Sequence, residues 1–237
     1  MTPDEITNIV QGIPHTTPSH GLELYNHVLK SRARRCMELG FAHGVGAVWI
    51  GGAISKLGGG ELVSVDVSAA HERVPSASTL VGKAWLEQIV TLHFDPVSYT
   101  WHLMRKLDEY ETDKFDFIFI DGAHTWDTDG FAFYLCARIL KPGGWILFDD
   151  LDWSYSSSPS LRNSRFVEGL PSEQREMRQV RAVWEKLVLT DSRFGNFVED
   201  GGWGWAQKTS DDSARTLSVH RTVRVPSLRS AFRRLLP

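Results

Sequence analysis

Two cysteines, Cys36 and Cys136, are too few for a disulfide framework in a chain of 237 residues. Each sits in an apolar pattern, which reads as a buried reduced thiol rather than a bridge or half of a metal pair. No apolar run approaches the roughly 20 residues a bilayer demands, so no membrane partner is expected. The opening residues, Met1-Thr2-Pro3-Asp4-Glu5, lack the basic-then-apolar build of a signal peptide, and a cytoplasmic location is the expectation. Charge of one sign is scarce too. With 26 basic and 29 acidic residues the net charge is −3, which gives no whole-chain field for nucleic acid. What is present is an apolar fraction of 42%, enough for one sizeable core. Nine tryptophans are many for this length, and some are expected to line a pocket.

The remaining segments are organised around residues 35–46. An apolar run reaches Glu38-Leu39, and Gly40, Gly44 and Gly46 follow before an apolar helical pattern resumes at Val48. That is how a buried strand, a tight turn and a helix start look in sequence. Glycines let the backbone approach a ligand closely. An acid at the strand's end suits a cation or a hydrogen-bond donor better than a phosphate.

In chain order, residues 1–18 read as a loosely ordered lead-in with room for one short helix. Ser19 is a candidate cap for a helix over 21–31. Strands are predicted at 35–39, 61–66, 88–94, 115–120 and 145–148. Helices are predicted at 46–57, 79–88, 98–109 and 126–140, the last stopped by Lys141-Pro142-Gly143-Gly144. Residues 151–171 have no apolar period and read as a binding lid, with Asp152, Trp153 and Tyr155 shaping an acceptor pocket. A helix over 173–189 and a hairpin over 194–208 complete the domain, taken as 19–209. The segment 210–237 is a basic tail; from Ser213 it holds six arginines and no acid, and suits solvent or a homodimer contact better than nucleic acid.

Alternating strands and helices predict a Rossmann-like, doubly wound α/β fold whose seven-stranded sheet is mostly parallel, with an antiparallel C-terminal hairpin. Ligands bind such sheets beyond the carboxyl ends of the strands. Glu38, Asp66, Asp121 and Asp149 stand at or beside four of those ends, so the register gathers them on one rim. Carboxylates there also cap helices, which is the competing explanation. A dinucleotide would want G-x-G-x-x-G, which the glycine spacing does not match, and Glu38 would repel its pyrophosphate. S-adenosylmethionine has no phosphate, carries an ammonium and a sulfonium, and offers a ribose diol to an acid such as Asp66.

Glu38-Leu39-Gly40-Phe41-Ala42-His43-Gly44 resembles the E-L-G-x-x-x-G turn of the catechol O-methyltransferase-like enzymes among the class I S-adenosylmethionine-dependent methyltransferases. Asp66, Ile120-Asp121-Gly122-Ala123-His124 and the Lys-Pro-Gly-Gly stop fit the same class. Asp121-Gly-Ala-His124 followed by Asp129 is similar to a bacterial subgroup that includes small-molecule O-methyltransferases. The resemblance spans about residues 20–208, and Ala42 replaces the middle glycine of the commoner pattern.

The resemblance implies that Glu38, Gly40, Phe41, Ala42 and Gly44 hold the methionine part of the donor. Asp66 would bind the ribose, Asp95 would lie near the adenine, and Asp121 would border the cofactor. It further implies a magnesium ion on Asp121, Asp149 and Asp150, activating a hydroxyl of a small-molecule acceptor such as a sugar, natural product or aromatic diol. Asp150 stands where an asparagine is common. His124 occupies the place of a catalytic lysine and is the candidate general base, alongside Asp121. Two other readings stay open: a metal-independent O- or N-methyltransferase relying on His124, and an S-adenosylmethionine-binding module without catalysis.

Overall fold

The Phe115–Ile120 run is the most apolar strand, and its side chains alternate between two cores. Ile118 and Ile120 join one apolar cluster, while Phe117 and Phe119 join the other. A strand buried on both faces belongs in the middle of a parallel sheet. A computed structural model describes residues 1–211 and places it there as β4 (Phe115–Ile120). The other strands are β1 (Arg35–Leu39), β2 (Glu61–Val67), β3 (Val90–Asp95), β5 (Leu140–Phe148), β6 (Phe194–Asp200) and β7 (Trp203–Lys208). Their order is β3-β2-β1-β4-β5-β7-β6. Pairing is parallel from β3 to β5, whereas β7 runs antiparallel to both β5 and β6. This is the predicted seven-stranded sheet with its closing hairpin.

Helices cover both faces. α1 (Pro3–Val10), α2 (Pro18–Ser31), α3 (Val45–Lys56) and α4 (Ala77–Lys83) bury their apolar sides with Cys36, Leu62, Phe117 and Leu147. On the opposite face α5 (Tyr99–Thr112) and α6 (Trp126–Ile139) pack with Met37, Leu39, Val65 and Phe148. The connection from β5 to β6 carries α7 (Arg165–Glu168), α8 (Ser172–Glu176) and α9 (Gln179–Val183), which runs into a π turn at Trp184–Val188. Both cysteines are free and buried. No helix among the described residues is long and apolar enough to cross a membrane.

Several elements differ from the sequence expectation. The lead-in contains a closed helix: Thr2 and Glu5 form a reciprocal capping box on α1, and Ile6 is fully buried against α3. α2 is capped by Thr17, with Pro18 in its first turn, instead of by Ser19. Lys141 to Gly144 sit inside β5, at an irregularity in its pairing with β4. The helix expected over 173–189 breaks at Met177 and Arg178, whose backbones leave helical geometry. Past the break the buried Gln179 reaches back, its Oε1 accepting the Trp126 N–H at 3.0 Å to close the start of α6. The basic tail, with its expected dimer contact, lies outside the described residues beyond Asp211.

Candidate active site

β1 and β4 are neighbours whose chains wind away in opposite directions, so the crevice beyond their carboxyl ends is the switch point of the sheet. The turn leaving β1 closes one side of it. Gly40 has φ +91°, and a Cβ there would stand 2.1 Å from the Asp121 carbonyl oxygen, so only glycine fits. Gly44 (φ +85°) caps α3 without a side chain. A Cβ on Gly46 would meet Glu38 Oε1 at 2.3 Å, because that carboxylate rests on the first turn of α3.

Glu38 is 1% exposed and accepts a 2.7 Å hydrogen bond from Ser64 Oγ. Burial raises its pKa to about 8, the Asp66 charge adding to the effect and the Ser64 bond opposing it. A buried acid in this state is a receptor waiting for a cation. Asp66 binds the turn itself: its Oδ2 accepts the N–H groups of Phe41 and Ala42 at 2.9 and 2.8 Å. Its carboxylate also borders the cavity.

At the far wall stand the residues that follow β4 and β5. One donor atom each from Asp121, His124 and Asp150 lies within 4.8 Å of the others, with His124 Nε2 3.6 Å from Asp150 Oδ2. Burial raises the Asp121 pKa well above the carboxylate range, and Asp149, Asp150 and Glu38 raise it further. Asp149 is also raised, by burial and then by Asp150. Its Oδ1, however, accepts the Trp203 indole N–H and the Asp150 backbone N–H, both at 2.6 Å. Asp149 also lines the cavity, and its charge is the largest of those acting on Asp121, so it stands beside the cluster with its Oδ1 held by Trp203 and the Asp150 backbone. The ring of His124 packs on Trp153 at 5.1 Å.

Together these groups line a cavity of about 710 Å³. Glu38, Gly40, Phe41, Ala42, Gly44's neighbours Val45 and Gly46, Asp66, Asp121, His124, Asp149 and Asp150 all border it or its turn. Asp95 does not. It is 1% exposed, with Oδ1 accepting the Val97 and Ser98 N–H groups at 2.9 and 3.2 Å and its other oxygen paired to Arg105. It is spent on starting α5, as the proline after it demands a turn.

The segment 151–171 contributes less than expected. Asp152 and Trp153 border a side recess of about 330 Å³ shared with His20, Asp149 and Asp150. Tyr155 is buried between Trp153 and Phe166. The wall facing the glycine turn comes instead from Pro14 to Thr17, with His20, Glu72 and Arg73 nearby. Sequence reading missed these because their only local signal, a Thr-Pro helix start, says nothing about which distant turn they approach.

This sheet order with a glycine turn and an acid rim defines a class I methyltransferase fold. Residues 37–151 match the family model described as a methyltransferase domain, and that stretch belongs to this family. The matched stretch runs from β1 to just past Asp150, so it takes in the glycine turn and the acid rim.

Among solved structures, the chain is similar to TomG from Streptomyces achromogenes, an O-methyltransferase involved in tomaymycin synthesis, in complex with SAM. Identity is 17%, with 89% of this chain and 92% of that one covered and a TM-score of 0.64. An O-methyltransferase from Bacillus cereus in complex with SAH matches at 18% identity, 88% and 92% coverage and TM-score 0.61. SAH-bound PaMTH1 from Podospora anserina matches at 15%, 87% and 87%, and 0.60. At these identities the likeness carries the fold. No curated protein matches the chain.

Proposed function

We propose that the protein transfers the methyl group of S-adenosylmethionine to a hydroxyl of a small molecule, assisted by a divalent cation. The convergence of Asp121, His124 and Asp150 beside the Glu38 turn carries this reading. Glu38 receives the donor's ammonium, which relieves the burial of its charge. Asp66, its Oδ2 turned to the glycine turn, offers its remaining acceptor capacity to the ribose diol. Transfer would form the oxygen–methyl bond as the sulfur–methyl bond breaks, the sulfonium becoming the neutral thioether of S-adenosylhomocysteine while the hydroxyl proton passes to water in the cavity. Alignment of attack supplies much of the acceleration, and it is the walls of the cavity that fix it.

Two carboxylates and an imidazole fit a divalent ion, and the raised Asp121 pKa is what such a cluster shows without one. The sequence pointed to magnesium on three aspartates. With an imidazole in the set, manganese or another ion that accepts nitrogen fits as well. The ion's contribution would be to make an adjacent hydroxyl more acidic. Asp149, held by Trp203, keeps the Asp150 backbone in its left-handed turn, φ 59°.

One observation favours a second reading. His124 Nε2 stands 3.6 Å from Asp150 Oδ2, so without a metal the imidazole could itself take the hydroxyl proton, with Asp150 steadying the charge that forms. Exhaustive chelation separates the two. The metal reading expects methyl transfer to a catechol or sugar acceptor to stop with chelator and return with Mn2+ or Mg2+. It further expects Asp150→Ala to weaken Mn2+ binding at least about tenfold. Turnover that survives chelation and is lost in His124→Gln supports the second reading and overturns the first.

A further inference from the structure

Seven described residues other than glycine have positive φ, and four of them, His15 (88°), Ala42 (44°), His124 (56°) and Asp150 (59°), line the one cavity. Such conformations are costly for a residue with a side chain, and they collect where a functional site holds them. Three of the four belong to the glycine turn or the Asp–His cluster. His15 belongs to neither. It comes from the segment before α2 and faces the cluster across the cavity, where the charges of Asp150 and His124 act on it.

Its neighbours are fixed. The His15 ring stacks on His43 at 5.6 Å, and His43 Nδ1 is hydrogen-bonded to the Pro75 carbonyl at 2.7 Å. That contact ties His15 to the stretch after β2, which carries Arg73. Arg73 borders the same cavity, and its charge acts on His15. It is the single Lys or Arg among the described lining residues, against six acids: Glu38, Asp66, Glu72, Asp121, Asp149 and Asp150. Among the described residues its guanidinium makes no hydrogen bond or ion pair.

The acids suit a cationic donor and a divalent ion. A free guanidinium on that wall serves neither, since it repels both. Exposed at the edge of the cavity, it is open to an anion, and the acceptor is the ligand left to bring one. Partial burial, Arg73 and His43 keep the His15 pKa below its ordinary value, so the ring is available as a neutral hydrogen-bonding partner. One guanidinium beside one imidazole matches a planar monoanion, which arginine binds through two parallel N–H bonds. A phosphate dianion would meet six acids with one fixed positive charge to hold it.

We propose that Arg73 and His15 form a carboxylate-recognition pair that selects acceptors bearing a carboxylate. This deepens, and rests on, the small-molecule methyltransferase reading above. The test titrates benzoate, benzamide and inorganic phosphate into S-adenosylhomocysteine-saturated protein by calorimetry, for the wild type, Arg73→Gln, Arg73→Lys and His15→Ala. The expected result is benzoate binding that weakens at least tenfold in Arg73→Gln, less in Arg73→Lys, and several-fold in His15→Ala. Benzamide should bind all four weakly and alike, and S-adenosylhomocysteine affinity should stay within twofold. Absent benzoate binding, equal binding in Arg73→Gln, or tighter binding of phosphate would overturn the proposal. A drop in S-adenosylhomocysteine affinity in Arg73→Gln would also overturn it, by assigning the arginine to the donor. Failure of the wild type to bind S-adenosylhomocysteine at all, seen before any benzoate is added, sinks the donor reading itself.

Discussion

Glu38 shows how one side chain couples binding to stability. In the unfolded chain it titrates near the ordinary 4.5, whereas burial lifts it to about 8 in the fold. The folded state then holds the proton over a pH range where the unfolded state has lost it. Stability from this group is complete below about 4.5 and falls as pH rises towards 8. A tenfold difference in proton affinity between the two states is worth roughly 1.4 kcal/mol, so the effect reaches a few kcal/mol. In Glu38→Gln the pH-dependent loss is gone. Thermal unfolding without ligand should show the variant gaining on the wild type between about pH 5 and pH 8, while its affinity for S-adenosylmethionine falls at least about tenfold. An unchanged pH dependence would mean that Glu38 is solvated as an ion in the fold.

At the scale of elements, Lys208 joins β7 to the end of α6. It is 1% exposed, and its Nζ donates to the carbonyls of Ala137 and Leu140 at 2.7 and 2.8 Å and to Asp211. Those carbonyls lie where a helix end leaves acceptors without partners. Lys208→Met keeps the stem but strips the acceptors of their donor, at a cost of about 1–3 kcal/mol. Chemical denaturation should record that loss, with methyl transfer at low temperature unchanged because Lys208 is away from the cavity.

Elements with a strong local pattern were legible from sequence. The strands alternate or run apolar, and the acids at the ends of β1, β2, β4 and β5 follow from register alone. The break at Met177 was not legible, because it answers to Gln179 capping α6 about 50 residues away. Nor was the approach of His124 to Asp121 and Asp150, or the Trp203 indole reaching Asp149 from the hairpin, since tertiary contacts of this kind leave no trace in spacing.

Over the whole molecule, the sheet brings to one rim what the chain spreads over more than a hundred positions, from Glu38 to Asp150. Pro14 to Thr17, with His20 of α2, complete the cavity from the other side, so these N-terminal residues belong to the site along with the glycine turn. Deleting residues 1–17 should therefore weaken S-adenosylhomocysteine binding, beyond any loss of stability from exposing the α3 face, when both are measured by calorimetry and thermal unfolding.

The most direct test is a crystal structure with S-adenosylhomocysteine and Mn2+, with the metal located by its anomalous signal. The account predicts the cofactor's amino group against Glu38, its ribose at Asp66, and a manganese peak bonded to Asp121, His124 and Asp150. A cofactor lying outside the Glu38 turn, or a well-occupied metal held elsewhere on the rim, would contradict it.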